Sequence, residues 1–305
     1  SDVYKRQIWD DGSDRVSGVE IVPIALLDRP RIDVTLRVSG LFRDVFPTLS
    51  TLFEQALTAL RNRDEAADWN PYAGHAPSAR VYGPAPGSYG LGMGAALDDY
   101  SETGRKQAGA AWLAASSWSL NGAQAQQDPA GIAARVRQAD SFVHLQDLPE
   151  TDLLLAEDYA THEAGFAAAQ SVTGGKAALY HLDNTDPNAP TARSLPEEIA
   201  RVVRGRATQP DWIAGMRRHG FRGAAEIAAT LDHMAAFAHL ADAVPAHLFD
   251  QYYDVTLASE EVVAFLQEAN PQALDAMRNR FAALLDAGIW QTRRNAIRQA
   301  FEAAS

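Results

Sequence analysis

Phe142-Val-His-Leu-Gln-Asp-Leu-Pro-Glu-Thr-Asp-Leu-Leu-Leu-Ala-Glu-Asp-Tyr-Ala-Thr-His-Glu-Ala-Gly-Phe166 is the stretch around which the chain is organised. It gathers His144, Asp147, Glu150, Asp152, Glu157, Asp158, His162 and Glu163 into one run, with Leu148 and Leu153 to Leu155 as apolar anchors. Nowhere else in the sequence are acids and imidazoles so dense. The pattern predicts a short buried strand over 142–145, a turn over 146–151 and a helix over 157–170. The acids then gather at a strand end and a helix start, which is where α/β sheets place their sites. A solvated acidic loop before a capped helix is the competing explanation.

Working upstream, 19–24 and 32–38 are expected to be strands, the second with Ile32, Val34, Leu36 and Val38 alternating with Asp33, Thr35 and Arg37. Apolar residues at helical spacing predict a helix over 43–61, with Pro47 tolerated in its first turn. A loop-rich segment over 71–86 surrounds a short strand at 80–82, and Gly87, Gly90, Gly92 and Gly94 are expected to bring backbone close to a neighbour. An Ala-rich helix follows over 107–118, and Asp128-Pro129 opens another that runs to Gln138.

Downstream, 177–181 is the last expected strand. Strand-helix alternation therefore makes residues 8–190 a layered α/β unit. The Pro187 and Pro190 loop ends the strands, and residues 191–305 are expected to be a mostly helical C-terminal part. Its punctuation is explicit: Ser194-Leu-Pro-Glu197 is a capping box, Gly220 and Gly288 sit where helices end, and Ser259 and Asn270-Pro271 bound a further helix. The fold class is α/β, a strand-helix alternating unit followed by helices.

At 305 residues, 47% apolar and 22% charged, the composition is that of a soluble globular protein with one large or two ordinary domains. A net charge of -12 disfavours a nucleic-acid surface, which needs clustered Lys and Arg, and suits attraction of a cation. With no cysteine, disulfides, thiolate metal sites and a Cys nucleophile are excluded, and any metal falls to His, carboxylate or carbonyl. No run approaches the roughly 18 apolar residues of a membrane span, and no signal-peptide pattern opens the chain. A soluble, cytoplasmic protein is expected.

Familiar motifs fail on inspection. His162-Glu163 lacks the second His of a zinc-protease helix, since position 166 is Phe. Gly174-Gly175-Lys176 is not a P-loop: position 170 is Gln, and Ala177 stands where a Ser or Thr would hold magnesium. Gly90-Leu-Gly-Met-Gly94 lacks dinucleotide spacing, and Ser116 and Ser117 have no nucleophile elbow. His219 fits a helix C-cap, while His233 and His239, six apart, do not share a helix face. Trp112 and Trp118 are core by default, with ring stacking as the alternative. Arg37 and Arg43 either form ion pairs, Arg43 with Asp44, or clamp a ligand carboxylate.

Four phrases carry a resemblance: Arg29-Pro-Arg-Ile-Asp-Val-Thr-Leu-Arg-Val-Ser-Gly-Leu-Phe-Arg-Asp-Val-Phe46, Val81-Tyr-Gly-Pro-Ala-Pro-Gly-Ser-Tyr-Gly90, Leu195-Pro-Glu-Glu-Ile-Ala-Arg-Val-Val-Arg204 and Pro210-Asp-Trp-Ile-Ala-Gly-Met-Arg-Arg-His-Gly220. Together they resemble the large subunit of ATP-dependent cobaltochelatase and, more distantly, the related H subunit of magnesium chelatase. The likeness covers the C-terminal quarter or so of such a subunit. Ser1-Asp-Val-Tyr-Lys-Arg-Gln7 is similar to the in-frame translation of a transposon end used in preparing sequencing libraries. Residues 1–7 are therefore expected to be non-native, and the chain to be a C-terminal fragment. Two places depart from the family: Ala115-Ser-Ser-Trp118 stands where cobaltochelatases tend to have Ala-Trp-Gly-Gly-Tyr, and Glu163-Ala-Gly165 where they tend to have Glu-Gly-Gly.

The resemblance implies a subunit that binds a tetrapyrrole, hydrogenobyrinic acid a,c-diamide in the cobalt branch, and receives Co2+ as substrate. Separate AAA+ motor subunits bind and hydrolyse ATP-Mg, and the fragment alone is expected to be inactive. Metal insertion needs water stripped from the ion and protons taken from ring nitrogens, work suited to carboxylate and imidazole. Asp158, His162 and Glu163 are the groups expected to act on metal and protons. Asp158 and His162 share a helix face, while Asp158 and Glu163 lie about 140° apart on a regular helix. Trp118 and Tyr159 are expected to meet the ring, with Arg37 and Arg43 as further substrate-binding candidates. A magnesium chelatase of the same family acting on protoporphyrin IX, and a non-catalytic scaffold that docks the motor subunits, are the alternatives.

Overall fold

The computed structural model describes residues 18–93, 98–122, 124–146, 148–186 and 188–302, with the backbone of a short strand at Val3–Tyr4. Of the features above, the rest of residues 1–7, Gly94, Asp147 and Pro187 lie outside the described residues. A ribbon pairs Val3–Tyr4 with Glu20–Ile21. The elements then run β1 (Leu36–Arg37), α1 (Gly40–Val45), α2 (Pro47–Arg61), β2 (Val81–Gly83), α3 (Glu102–Ala114), β3 (Trp118–Asn121), β4 (Gln124–Gln127), α4 (Pro129–Gln138) and β5 (Ser141–Gln146). Next come α5, a continuous helix over 157–173 with a π turn at Ala160–Ala164, then β6 (Ala178–Asp183) and β7 (Thr191–Ser194). Helices complete the chain: α6 (Leu195–Val202), α7 (Pro210–Arg218), α8 (Gly220–Ala241), α9 (Ala246–Val255), α10 (Glu260–Ala269), α11 (Pro271–Asp286) and α12 (Asn295–Glu302).

These elements form two compact units, Ser1–Gly92 with Leu113–Arg135, and Met93–Trp112 with Val136–Ser305. The first is built on the sheet β1-β2-β3-β4, in which β1 and β2 run parallel and the other pairs antiparallel. Val38, Val81 and Leu120 form its core, with Leu36, Phe42 and Phe53 packed against them. The second unit contains the sheet β5-β6-β7, and here β5 and β6 are parallel, joined through α5 in a βαβ unit. Its helical part centres on α8, whose Ile227, Leu231, Met234 and Phe237 are fully buried. Trp290 packs with Phe249, Tyr253, Phe281 and Phe301 and donates from Nε1 to Asp250 Oδ1 at 2.9 Å.

Two glycines let α5 sit close to α3. A Cβ at Gly109 would strike the carbonyl oxygen of Ala168, and one at Gly165 would lie 2.7 Å from Trp112 Cδ1. With both positions bare, Trp112 meets Phe166 edge-on at 5.5 Å, and Phe166 stacks on Phe142 of β5 at 4.3 Å. Helix α5 is thereby fixed over the sheet.

Several sequence expectations are corrected. The strand expected over 32–38 shrinks to Leu36–Arg37, because the Tyr72 hydroxyl takes the backbone instead: it donates to Ile32 O at 3.0 Å and accepts from Val34 N at 2.8 Å. The strand expected over 19–24 is Glu20–Ile21, followed by a helical turn at Ile24–Leu27 that Asp28 ends with φ +52°. The helix expected over 43–61 is two helices, since Pro47 has no N–H to continue α1 and instead opens α2. Trp118 does not end a helix but begins β3. The strands do not end at Asp183, because β7 follows the proline loop and pairs antiparallel with β6. Leu148 is no anchor at 55% exposed, whereas Leu153 and Leu154 are fully buried. At Gly87, Gly90 and Gly92 no neighbour among the described residues lies close; Gly87 and Gly92 serve turns with φ +81° and +65°. The capping box at Ser194 and Glu197 is present, as are the caps by Ser259 and Asn270.

The first unit also holds a buried arginine that makes its stability sensitive to acid. Arg31, with its side chain fully buried, donates to Glu65 through Nε and Nη2 at 2.8 Å each, and Arg63 adds a third bond at 3.0 Å. The Arg31 bond, against burial and with Arg63 assisting, pulls the Glu65 carboxyl from 4.5 to about 2. A carboxyl held below its usual value stabilises the fold above about pH 4.5, and that contribution disappears as pH falls through 2. Urea unfolding of the protein and of Glu65→Gln should therefore differ by on the order of 1 to 2 kcal/mol at pH 6, allowing for screening, and converge near pH 2.

Candidate active site

The parallel pairing of β5 and β6 sets His144 directly opposite His181, on the same face as Phe142 and Gln146. Helix α5 covers that face and brings Glu163 between the two rings. Glu163 is 1% exposed. Its Oε1 lies 3.0 Å from His144 Nδ1 and 2.8 Å from His181 Nδ1. Its Oε2 is buried with no hydrogen-bond partner among the described residues.

A π turn aims this side chain. Over Ala160–Ala164 the helix widens, and Thr161 Oγ1 donates to the carbonyls of Glu157 and Asp158 at 3.1 Å each, while His162 Nδ1 donates to Asp158 O at 2.8 Å. Side chains thus cover carbonyls where the helical ladder is disturbed. Widening also changes the angular relation expected of a regular helix. Asp158 stays exposed while Glu163 turns into the interior.

The hydrogen bonds fix where protons must be. Gln146 Nε2 donates to Leu148 O at 3.2 Å and to Thr151 O, so the amide is oriented with Oε1 toward His181 Nε2 at 2.9 Å. A carbonyl oxygen only accepts, so His181 Nε2 carries a proton. His181 Nδ1 faces the carboxylate, and one further proton is shared between it and Glu163. The pair is either imidazolium with carboxylate or imidazole with carboxylic acid. His144 directs Nδ1 at the same oxygen, which leaves Nε2 on the far side of a ring that is 26% exposed. His162 stacks on His144 at 5.4 Å, and Tyr159 lies 5.3 Å from His144 and 5.5 Å from His181.

Of the residues singled out from sequence, Glu163, His162, Tyr159 and Asp158 are brought together, Asp158 through its backbone carbonyl. Tyr159, 8% exposed, packs between the imidazoles. Asp152 is a structural pin: it caps Leu154 N at 2.9 Å and holds Arg206 through two bonds, at 2.5 and 3.0 Å. Arg37, Arg43 and Trp118 belong to the first unit. Arg37 Nε donates to Ser116 Oγ at 3.2 Å; Arg43 pairs with Asp44 as expected and donates to Pro84 O at 3.0 Å and Ala85 O at 2.6 Å. Trp118 is half-buried on β3. Sequence reasoning missed His181 and the pairing of His144 with it; the available signal was a His at the same position in two strands flanking one helix. Among the described residues no three His, Asp or Glu side chains are placed to hold a metal ion together, and no helix is long and apolar enough to cross a membrane.

Comparison with known proteins agrees with this architecture. The aerobic cobaltochelatase subunit CobN of Pseudomonas aeruginosa is 38% identical over 94% of this chain and 25% of its own length, and CobN of a Sinorhizobium species is 38% identical over 95% and 24%. The H subunit of magnesium chelatase from Cereibacter sphaeroides is 23% identical over 91% and 24%. Among solved structures, the catalytic subunit of cobaltochelatase from Mycobacterium tuberculosis superposes with a TM-score of 0.87 at 31% identity, over 99% of this chain and 27% of that one. The chain thus spans about a quarter of the length of the curated relatives it matches. The family model described as CobN/Magnesium Chelatase matches residues 5–297, and the chain belongs to that family.

Proposed function

We propose that the chain is part of the tetrapyrrole-binding large subunit of a cytoplasmic, ATP-dependent cobaltochelatase of cobalamin biosynthesis. In this reading the subunit inserts Co2+ into hydrogenobyrinic acid a,c-diamide while partner AAA+ subunits hydrolyse ATP-Mg. The observation that carries it is the buried Glu163 carboxylate held between His144 and His181. Identity of 38% to two cobaltochelatase subunits, against 23% to a magnesium-chelatase relative, favours cobalt over magnesium.

Insertion exchanges ring N–H bonds for metal–nitrogen bonds, so protons must leave as the ion arrives. His144, steadied through Nδ1, presents Nε2 as the base; a proton taken there is balanced by transfer of the Nδ1 proton toward Glu163. The Glu163–His181 pair already shares a proton in a hydrogen-bonded setting, so moving charge onto it needs little rearrangement. Asp158 and His162, at the solvent side, handle the incoming ion, with Glu163 Oε2 inside for the ion or a ring proton. Carboxylate and imidazole both suit Co2+, and a small ligand set suits an ion that must be released. Trp118 is assigned to stack on the macrocycle and Tyr159 to support the imidazoles.

Three outcomes test this. In the complete large subunit, Glu163→Gln and Asp158→Asn should each slow insertion by about a hundredfold or more, with macrocycle affinity and thermal midpoint nearly unchanged. Rates within a few-fold of the parent, or falling only in step with stability, would return these acids to a structural role. Residues 8–305 alone, supplied with macrocycle, cobalt, ATP and motor subunits, should show no turnover; insertion at the rate of the complete subunit would overturn the assignment of this chain as one part of a larger cavity. Macrocycle should also quench part of the tryptophan fluorescence of the complete subunit, and Trp118→Phe should remove that part. Unchanged quenching in the variant would count against stacking there.

A further inference from the structure

The sheet face opposite Glu163 is apolar and open. Val143 and Leu145 of β5 and Tyr180 of β6 are 55%, 47% and 37% exposed, and Leu148, just beyond β5, is 55% exposed. Register pairs Val143 with Tyr180 and Leu145 with Leu182, and Leu182 with Ala192 of β7, so these side chains share one face. Parallel strands occur almost only where both faces are covered, yet among the described residues β5 and β6 are covered on the α5 side, while Val143, Leu145 and Tyr180 on the other face stay exposed. Strand β5 also ends the order β5-β6-β7, so its outer edge has no partner among the described residues. An apolar face beside an open parallel edge is a surface that proteins normally cover.

We propose that this face and edge are the docking surface for the rest of the large-subunit polypeptide, which adds a strand beside β5 and lays apolar side chains over Val143, Leu145 and Tyr180. The relatives argue for that occupant. They carry this same unit as about a quarter of one continuous chain, at 25% and 24% of the length of two cobaltochelatase subunits and 27% of a third with the same fold. Area argues against a second copy. The four exposed side chains offer roughly 400 Å², about half of the roughly 800 Å² each partner buries in a stable association. A covalently continuous segment needs no such area, because tethering supplies the effective concentration.

The absence of cysteine makes the surface directly readable. Val143→Cys and Leu145→Cys each create a single thiol in this chain, with Asp275→Cys on α11, 72% exposed, as the control. Each is placed in the 305-residue chain and in a chimaera where this chain replaces the matching quarter of the Pseudomonas aeruginosa subunit. Maleimide labelling is then followed peptide by peptide by mass spectrometry. The two β5 thiols should react at least about tenfold more slowly in the chimaera, with the control unchanged. Equal rates in both proteins would overturn the proposal. So would protection that rises with concentration of the 305-residue chain, which signals a second copy, or protection that requires motor subunits. As a second measurement, Val143→Lys combined with Leu145→Lys should leave the thermal midpoint of the 305-residue chain within about 2 °C while lowering that of the chimaera by about 5 °C or more. Equal losses in both would also overturn it. Neither readout involves metal or macrocycle, so the docking surface stands or falls independently of the chelatase assignment.

Discussion

A carboxylate cannot be taken out of water without partners, and the second unit is arranged around meeting that requirement at Glu163. Its Oε1 receives two imidazoles, one from each of two adjacent parallel strands. That fixes the pairing. A slip of one residue would carry His144 or His181 to the opposite face and leave the carboxylate buried without its bonds. The same network then reaches outward: Gln146 accepts from His181 and donates to the carbonyls of Leu148 and Thr151, so the turn after β5 is tied to the proton state of the site. Beyond the turn, Asp152 holds Arg206, and His233 of α8 donates to Leu154 O at 2.8 Å. The helical part thus holds the segment after β5 through an ion pair and a side-chain bond to a backbone carbonyl.

Getting Glu163 into place also demands a close helix. The bare positions at Gly109 and Gly165 let α3 and α5 approach, and Trp112 with Phe166 fills the space beside them. Within α5 the π turn separates two acids that a regular helix would have placed differently, sending Asp158 to solvent and Glu163 to the interior. Local geometry has given two chemically similar residues different environments, and environment decides what a carboxyl group can do.

Much of this was legible in the sequence. The order β5, α5, β6 followed from periodicity and turn residues, and the density of acids and imidazoles marked the stretch that holds His144, His162 and Glu163. Glu163 and Asp158 were both singled out, but that Glu163 would be buried and Asp158 exposed was not legible, because it depends on a π turn that no spacing rule announces. His181 was missed because a lone His in a strand carries no signal until the strand is paired in register with another. Outside the site, the strand expected at 32–38 gave way to a tertiary contact from Tyr72, forty residues from Ile32 in sequence. The pairing of Arg43 with Asp44 was readable because the residues are adjacent, but its bonds to Pro84 and Ala85 depend on the folded loop.

The choice of partners sets Glu163 apart from the other acids of the chain. Several acids of this chain are answered by arginine: Glu65 meets Arg31 and Arg63, Asp33 meets Arg80, and Asp152 meets Arg206. Glu198, fully buried, meets Arg193 and Arg201; burial pushes its carboxyl up, but the Arg201 bond and neighbouring positive charge bring it below the ordinary range. Guanidinium holds its protons throughout the physiological range, so such pairs are fixed charges. Among the described ion pairs, the carboxylate answered by histidine is Glu163, and it is answered twice. Imidazole can both donate and accept a proton, which guanidinium does not. It also allows charge to move within a buried network. Among the described ion pairs, the chain thus supplies arginine to Glu65, Asp33, Asp152 and Glu198, and histidine to the buried Glu163.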